Sequence, residues 1–151
     1  MNAYYSVTQS LYTMLLADEE VNTVDKGDIT RMDLDDKTIF PLAHLNVYSA
    51  GFTTSTIEFD VSVIAMNLRD MRLDNETDRF IGNDNEDDNL NAMLYVLLRL
   101  FLKLEKKTAE EDWELTSFDR PEPFTEKRNN VVDGWSFRFT ISVPIEEIGA
   151  C

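Results

Sequence analysis

Two stretches of unbroken alternation constrain this chain more than anything else in it. In residues 57–65, Ile57, Phe59, Val61, Val63 and Ala65 point one way, and Glu58, Asp60 and Ser62 point the other. In residues 135–143, Trp135, Phe137, Phe139, Ile141 and Val143 alternate with Ser136, Arg138, Thr140 and Ser142. A period of two sustained this long belongs to strands that bury one face. Between them lies a third patterned segment, residues 88–104, with apolar residues at helical spacing. A helix is the natural cover for the apolar face of such strands. The fold class that follows is α+β, with a mainly antiparallel (mixed) sheet.

The other elements fill in around this frame. Residues 3–16 read as a helix, with Tyr4, Val7, Leu11, Met14 and Leu15 on one face and Asn2 as N-cap. That segment carries no charge, which points first to packing against the sheet and second to a subunit contact. Residues 22–31 form a weak strand interrupted by Gly27, and 33–36 a turn. Residues 38–53 read as a long strand, with Ile39, Ala43, Leu45 and Val47 on one side and Phe40, Leu42, His44, Asn46 and Tyr48 on the other. Pro41 lacks a backbone donor and places that end at an edge or outside the ladder. Gly51 marks a bulge. Thr54-Ser55 then turns the chain into the strand beginning near residue 57, giving a long antiparallel hairpin.

Residues 69–87 are polar and aperiodic, a length that in compact domains belongs to functional or disordered loops. Acidic residues Asp84, Glu86, Asp87 and Asp88 precede the 88–104 helix, and Lys103, Lys106 and Lys107 follow it, matching the helix dipole. Its polar positions, Asn91, Tyr95, Arg99 and Lys103, form one narrow stripe. The rest is apolar, so the helix is buried over most of its circumference and needs a second helix or a subunit beyond the sheet. Residues 113–118 read as a short strand. Pro121 and Pro123 break the chain, residues 125–133 are polar and extended, Asp133-Gly134 is a turn or kink, and Pro144 ends the last strand.

At 151 residues the expectation is one domain, 1–151, with the polar loop at 69–87. A lone cysteine, Cys151, excludes an internal disulfide and fits a reducing compartment. The longest apolar run, 92–98, is seven residues, against about 20 for a membrane-spanning helix. The start of the chain lacks the basic region of a signal peptide. The net charge of −15, from 29 acidic and 14 basic residues, reads as a solubility device or as a surface that must not adhere to nucleic acid. The only local basic clusters are Lys103/Lys106/Lys107 and Lys127/Arg128.

Reaction chemistry finds no foothold. His44 is the only imidazole, and on a strand beside Ala43 and Leu45 it reads as a structural or surface residue. A metal centre needs three or four converging ligands. Cys151 is the final residue, in a tail expected to fray, which argues against a Cys–His pair. The acidic run 74–78 fails the EF-hand pattern, because the sixth position from Asp74 is Arg79 and the twelfth is Asn85. No catalytic, cofactor-binding or metal-binding residue is assigned, and the chain does not read as an enzyme.

The succession of elements, together with four stretches, resembles a known family. The stretches are Phe40-Pro41-Leu42-Ala43-His44-Leu45-Asn46-Val47, Phe59-Asp60-Val61-Ser62-Val63-Ile64-Ala65-Met66, Asp88-Asn89-Leu90-Asn91-Ala92-Met93-Leu94-Tyr95-Val96-Leu97, and Gly134-Trp135-Ser136-Phe137-Arg138-Phe139-Thr140-Ile141-Ser142-Val143-Pro144. Over residues 4–144 they resemble the tail-terminator and neck (head-to-tail connector) proteins of tailed bacteriophages. The resemblance implies a small structural virion protein, made in the host cytoplasm. It would assemble into a homo-oligomeric ring, usually a hexamer, at the head–tail junction. Such a ring caps the tail tube, contacts tube and connector proteins, and lets DNA pass through its lumen without specific binding, with no cofactor and no membrane. Asp33, Asp35 and Asp36 would be the lumen-facing acids. A rival class is an acidic DNA mimic or adaptor that binds another protein. Its weakness is that the acids are dispersed, with 10 in residues 1–60, 12 in 61–112 and 7 in 113–151.

Overall fold

The computed structural model describes residues 3–27, 40–69, 85–110, 113–127 and 131–145. Two helices, α1 (Ala3–Leu16) and α2 (Glu86–Glu110), accompany six strands. These are β1 (Thr23–Lys26), β2 (Leu42–Phe52), β3 (Thr56–Leu68), β4 (Glu114–Phe118), β5 (Glu122–Lys127) and β6 (Val131–Pro144). The strands form one mixed sheet in the order β1-β2-β3-β6-β4, with β5 also on β6. Only β1 and β2 run parallel. The α+β architecture with a long central hairpin is therefore as the sequence dictates.

The alternation of β3 and β6 settles which side of the sheet is covered. Phe59, Val61, Val63 and Ala65 of β3 lie beside Ile141, Phe139, Phe137 and Trp135 of β6 in antiparallel register. They join Ala43 and Leu45 of β2 under both helices, which contribute Val7, Leu11 and Leu15 from α1 and Met93, Val96, Leu97, Leu100 and Leu104 from α2. The sheet is thus roofed on one face. On the other face Asp60 and Thr140 meet, the threonine hydroxyl donating to the carboxylate at 2.7 Å. A second small cluster, Leu42, Met66 and Val132, closes one end.

Several local expectations are corrected by long-range pairing. The bulge in β2 is at Tyr48, where the register slips between Val47 and Ser49, while Gly51 pairs regularly with Glu58. Tyr48 is the inserted residue, and its ring is covered by Arg138 at 5.6 Å. β1 stops at Gly27, whose φ of 125° lies in a region that favours glycine. The 22–31 strand is correspondingly shorter, and residues 28–31 lie outside the described residues. Pro41 stands just before β2, outside its ladder, as its missing donor requires.

The residues after Pro121 form a strand, β5, which takes in the first part of the stretch read as extended, 125–133. β5 pairs with the first half of β6, and β4 with the second half. Both run antiparallel to β6, so they are two pieces of one interrupted edge strand. Phe118 pairs with Phe139 and Glu122 with Ser136, so three residues (119–121) face two (137–138). Pro123 is tolerated because the strand lies on the sheet edge.

Asp133-Gly134 is not a turn. Both residues lie inside β6, paired with Asn67 and Met66 of β3. The backbones approach so closely there that a side chain at Gly134 would collide with the Ala65 carbonyl oxygen and come within 2.9 Å of the Met66 Cα. Glycine at 134 is a packing requirement of a central strand.

Helix α2 starts two residues earlier and ends six later than its apolar pattern alone implies. Lys103 therefore falls inside the helix, and only Lys107 lies in its last turn. Asn2, the 33–36 turn with Asp33, Asp35 and Asp36, the 74–78 acidic run, most of the 69–87 loop, and Cys151 lie outside the described residues.

Candidate functional site

The polar stripe of α2 is divided between two uses. Arg99 reaches the end of α1, where its Nε donates to Asp18 Oδ2 at 2.7 Å and its Nη2 to Asp18 Oδ1 at 3.0 Å. The same Nη2 lies 3.3 Å from Glu20 Oε2. Asp18 also accepts from the Glu20 backbone N–H at 3.0 Å. One turn on, Lys103 Nζ donates to the Met14 carbonyl at 3.1 Å, satisfying one of the free carbonyls at the C-terminus of α1. Burial alone would raise the Asp18 pKa, but the Arg99 hydrogen bonds and charge, with the Glu20 amide, hold it below the usual carboxylate value. The first half of the stripe, Asn91 and Tyr95, faces solvent.

This docking fixes which flank of α2 is left over. The sheet and α1 together cover Met93, Val96, Leu97, Leu100 and Leu104, while Leu94, Leu98 and Leu102, at i, i+4 and i+8, stay open. Leu98 is 44% and Leu102 56% exposed. The helix is thus not buried over most of its circumference within a single chain, because α1 lies on the Arg99/Lys103 side and no other described helix covers the opposite one.

Beside this flank the interrupted edge strand leaves a groove of about 530 Å³. Leu94, Leu98 and Phe101 form the helix wall, and Phe118 and Pro121 the strand wall. Phe137 of β6 lies at the base. Phe101 packs edge-on against Phe118, with centroids 5.0 Å apart, and against Phe137 at 6.3 Å. Asp119 and Arg120 stand at the rim. The lining is mostly apolar, which suits it to receive another apolar surface.

The polar cluster around Asp133 is satisfied within the fold. Asp133, 0% exposed, accepts from Arg69 Nε at 3.0 Å and Nη2 at 2.6 Å, from Thr125 Oγ1 at 2.8 Å and from Asn89 Nδ2 at 3.4 Å. Burial would raise its pKa, yet Arg69, Thr125 and Asn89 hold it below the usual value. Arg69 also pairs with Glu86 at 3.2 Å, and Asn89 Nδ2 donates to the Leu68 carbonyl at 2.9 Å. These contacts tie the end of β3, the start of α2 and strands β5 and β6 together. The alternation carries a signal for this cluster: continuing the inward faces, forward from Ala65 in β3 and back from Trp135 in β6, reaches Asn67 and Asp133.

His44 is buried. Its Nε2 lies 2.7 Å from the Gly27 carbonyl, and its Nδ1 faces the Asp25 carboxylate at 3.6 Å, beyond hydrogen-bond distance. It is a structural residue joining β2 to the end of β1. Among the described residues no group of three or more His, Cys, Asp or Glu could hold a metal ion. No described helix is long and apolar enough to cross a membrane. Sequence reasoning missed the groove, because its two walls come from segments some 20 residues apart.

No protein-family model matches the chain, and no curated protein matches it.

Proposed function

We propose that this chain is a structural subunit of a tailed-bacteriophage particle. Identical copies would close into a ring, six in the form that the resemblance implies, at the head–tail junction. The observation that carries the reading is the open flank of α2 with its adjoining groove. Leu94, Leu98, Leu102 and Phe118 are exposed apolar side chains, and Leu94, Leu98, Phe101 and Phe118 line the groove. Burying such surface gains about 25 cal/mol per Å², which is the ordinary driving force for subunit association.

Two further features support a ring through which DNA passes. The net charge of −15 opposes adhesion of phosphates to a channel wall. The polar clusters built around Asp133 and Asp18 serve packing, which suits a part whose work is mechanical. The ring would end the tail tube on one side and meet connector proteins on the other.

The test is to image the assembled particle with this chain labelled. A ring of label between head and tail supports the reading, and a complete particle without the chain there overturns it. The DNA-mimic alternative predicts a monomer or dimer that competes with duplex DNA for a basic protein groove.

A further inference from the structure

We infer that the tip of the β2–β3 hairpin of one copy, led by Phe52, seats in the Leu94–Leu98–Phe101–Phe118–Pro121 groove of the next. One chain then carries both halves of a head-to-tail contact. The inference deepens the ring reading and rests on it.

Phe52 is 82% exposed, the most exposed large apolar side chain among the described residues. It closes β2 opposite Ile57 at the very end of the hairpin. Several polar groups of the turn beyond it are bonded internally. The Thr53 N–H donates to the Thr56 carbonyl at 2.9 Å, and the Thr53 hydroxyl oxygen accepts from the Ser55 and Thr56 N–H groups at 3.2 and 2.9 Å. The two threonine hydroxyls are 2.6 Å apart. Those groups, already partnered, lose little when the tip leaves water.

Charge is compatible with a second copy as the occupant. Two chains of −15 repel where their acids face each other, so a contact between copies favours patches without net charge. Residues 45–57 contain no Asp, Glu, Lys or Arg. The groove rim carries one acid and one base, Asp119 and Arg120, and is neutral in sum. Knob and groove are thus matched in polarity and charge.

Phe52 cannot reach the groove of its own chain. Phe52 pairs with Ile57, whereas the groove base, Phe137, pairs with Val63 six residues further along β3. At about 3.3 Å per residue the two lie roughly 20 Å apart along the strands, besides the strands between them. A knob and a groove at different places on one chain make a heterologous contact, and such contacts propagate into rings or filaments.

Cysteine trapping tests this with the full-length chain carrying Cys151→Ser. Thr54→Cys chains, which keep Phe52, are mixed with Leu98→Cys chains under mild oxidation. A parallel mixture pairs Thr54→Cys with Tyr12→Cys, a position on α1 exposed to a degree similar to Leu98. The expected result is a cross-link to position 98 about tenfold faster than to position 12, the factor that a preference of about 1.4 kcal/mol gives. Equal rates, or no cross-link, overturn the inference. A second arm uses Phe52→Asp and Leu98→Asp. Each variant should keep the wild-type thermal midpoint and show no cross-linkable multimer when treated with a lysine-reactive reagent. Their equimolar mixture, with one intact knob and one intact groove, should give a dimer and nothing larger. Multimers of Phe52→Asp like those of the wild type overturn it. If position-98 trapping succeeds while the labelled chain is missing from the head–tail junction, the contact stands and the virion reading fails.

Discussion

The Arg69 guanidinium grips the Asp133 carboxylate in a two-pronged contact, at 3.0 and 2.6 Å, inside the inward face of the sheet. Asp133 is wholly buried and Arg69 nearly so. Removing one partner of such a pair strands the other in a poorly solvating interior, which costs about 3–5 kcal/mol. Asp133→Ala should therefore lower stability by about that amount in urea unfolding. The pH dependence has a definite sign. The folded-state pKa of Asp133 lies below the usual 3.8, so its contribution is complete above the unfolded value and is lost as pH falls through the lowered one. Wild-type stability should fall in acid, and that part of the fall should vanish in Asp133→Ala.

The Asp18–Arg99 pair differs in exposure, since the arginine side chain is 39% exposed while the aspartate is nearly buried. Screening by solvent reduces the value of such a contact to about 1 kcal/mol or less. A double-mutant cycle with Asp18→Ala and Arg99→Met should return a coupling of that size, shrinking in 1 M salt, where the screening length is about 3 Å. The Asp133→Ala cost should persist under the same conditions.

Gly134→Ala tests the close approach of β6 to β3. The neighbour that a Cβ would strike is the Ala65 backbone, which cannot swing aside as a side chain would. The substitution should cost about 1–3 kcal/mol, the usual scale for overpacking, visible as a lowered thermal midpoint. An unchanged midpoint would mean that the strands part without penalty.

Residues 70–84 join two ends already held together, by the Arg69–Glu86 ion pair at 3.2 Å and by Asn89 on the Leu68 carbonyl. Replacing the segment with a short Gly/Ser linker should keep the thermal midpoint within a few degrees, because closing a shorter loop changes the entropy by only about 0.6 kcal/mol per halving. On the ring reading, the same deletion should impair joining of heads to tails in a complementation assay.

Free duplex DNA should not bind at physiological salt. Non-specific binding needs several cations free to displace counterions together. Of the basic cluster at 103–107, Lys103 is committed to the Met14 carbonyl and Lys107 lies 4.5 Å from the Trp113 ring centroid. A gel shift showing micromolar, salt-sensitive binding would contradict the channel reading.

The bounds of α1, the existence of the hairpin and of the two long central strands, and the inward face of Phe137, Phe139 and Ile141 follow from the sequence alone. Alternation and helical spacing are local, repeated over many residues and enforced by burial, so they survive whatever the rest of the chain does. What only the tertiary structure decided depends on partners distant in sequence. The strand at Glu122–Lys127 exists because β6 offers it an edge, despite two prolines. Asp133-Gly134 has the composition of a turn, yet becomes the middle of a strand because Arg69 neutralises the acid and β3 needs the glycine's missing side chain. The open flank of α2 was hidden for the same reason. Leu94, Leu98 and Leu102 are as apolar as Leu97 and Leu100, and only the docking of Arg99 and Lys103 on the end of α1 determines which leucines face the sheet and which face outward.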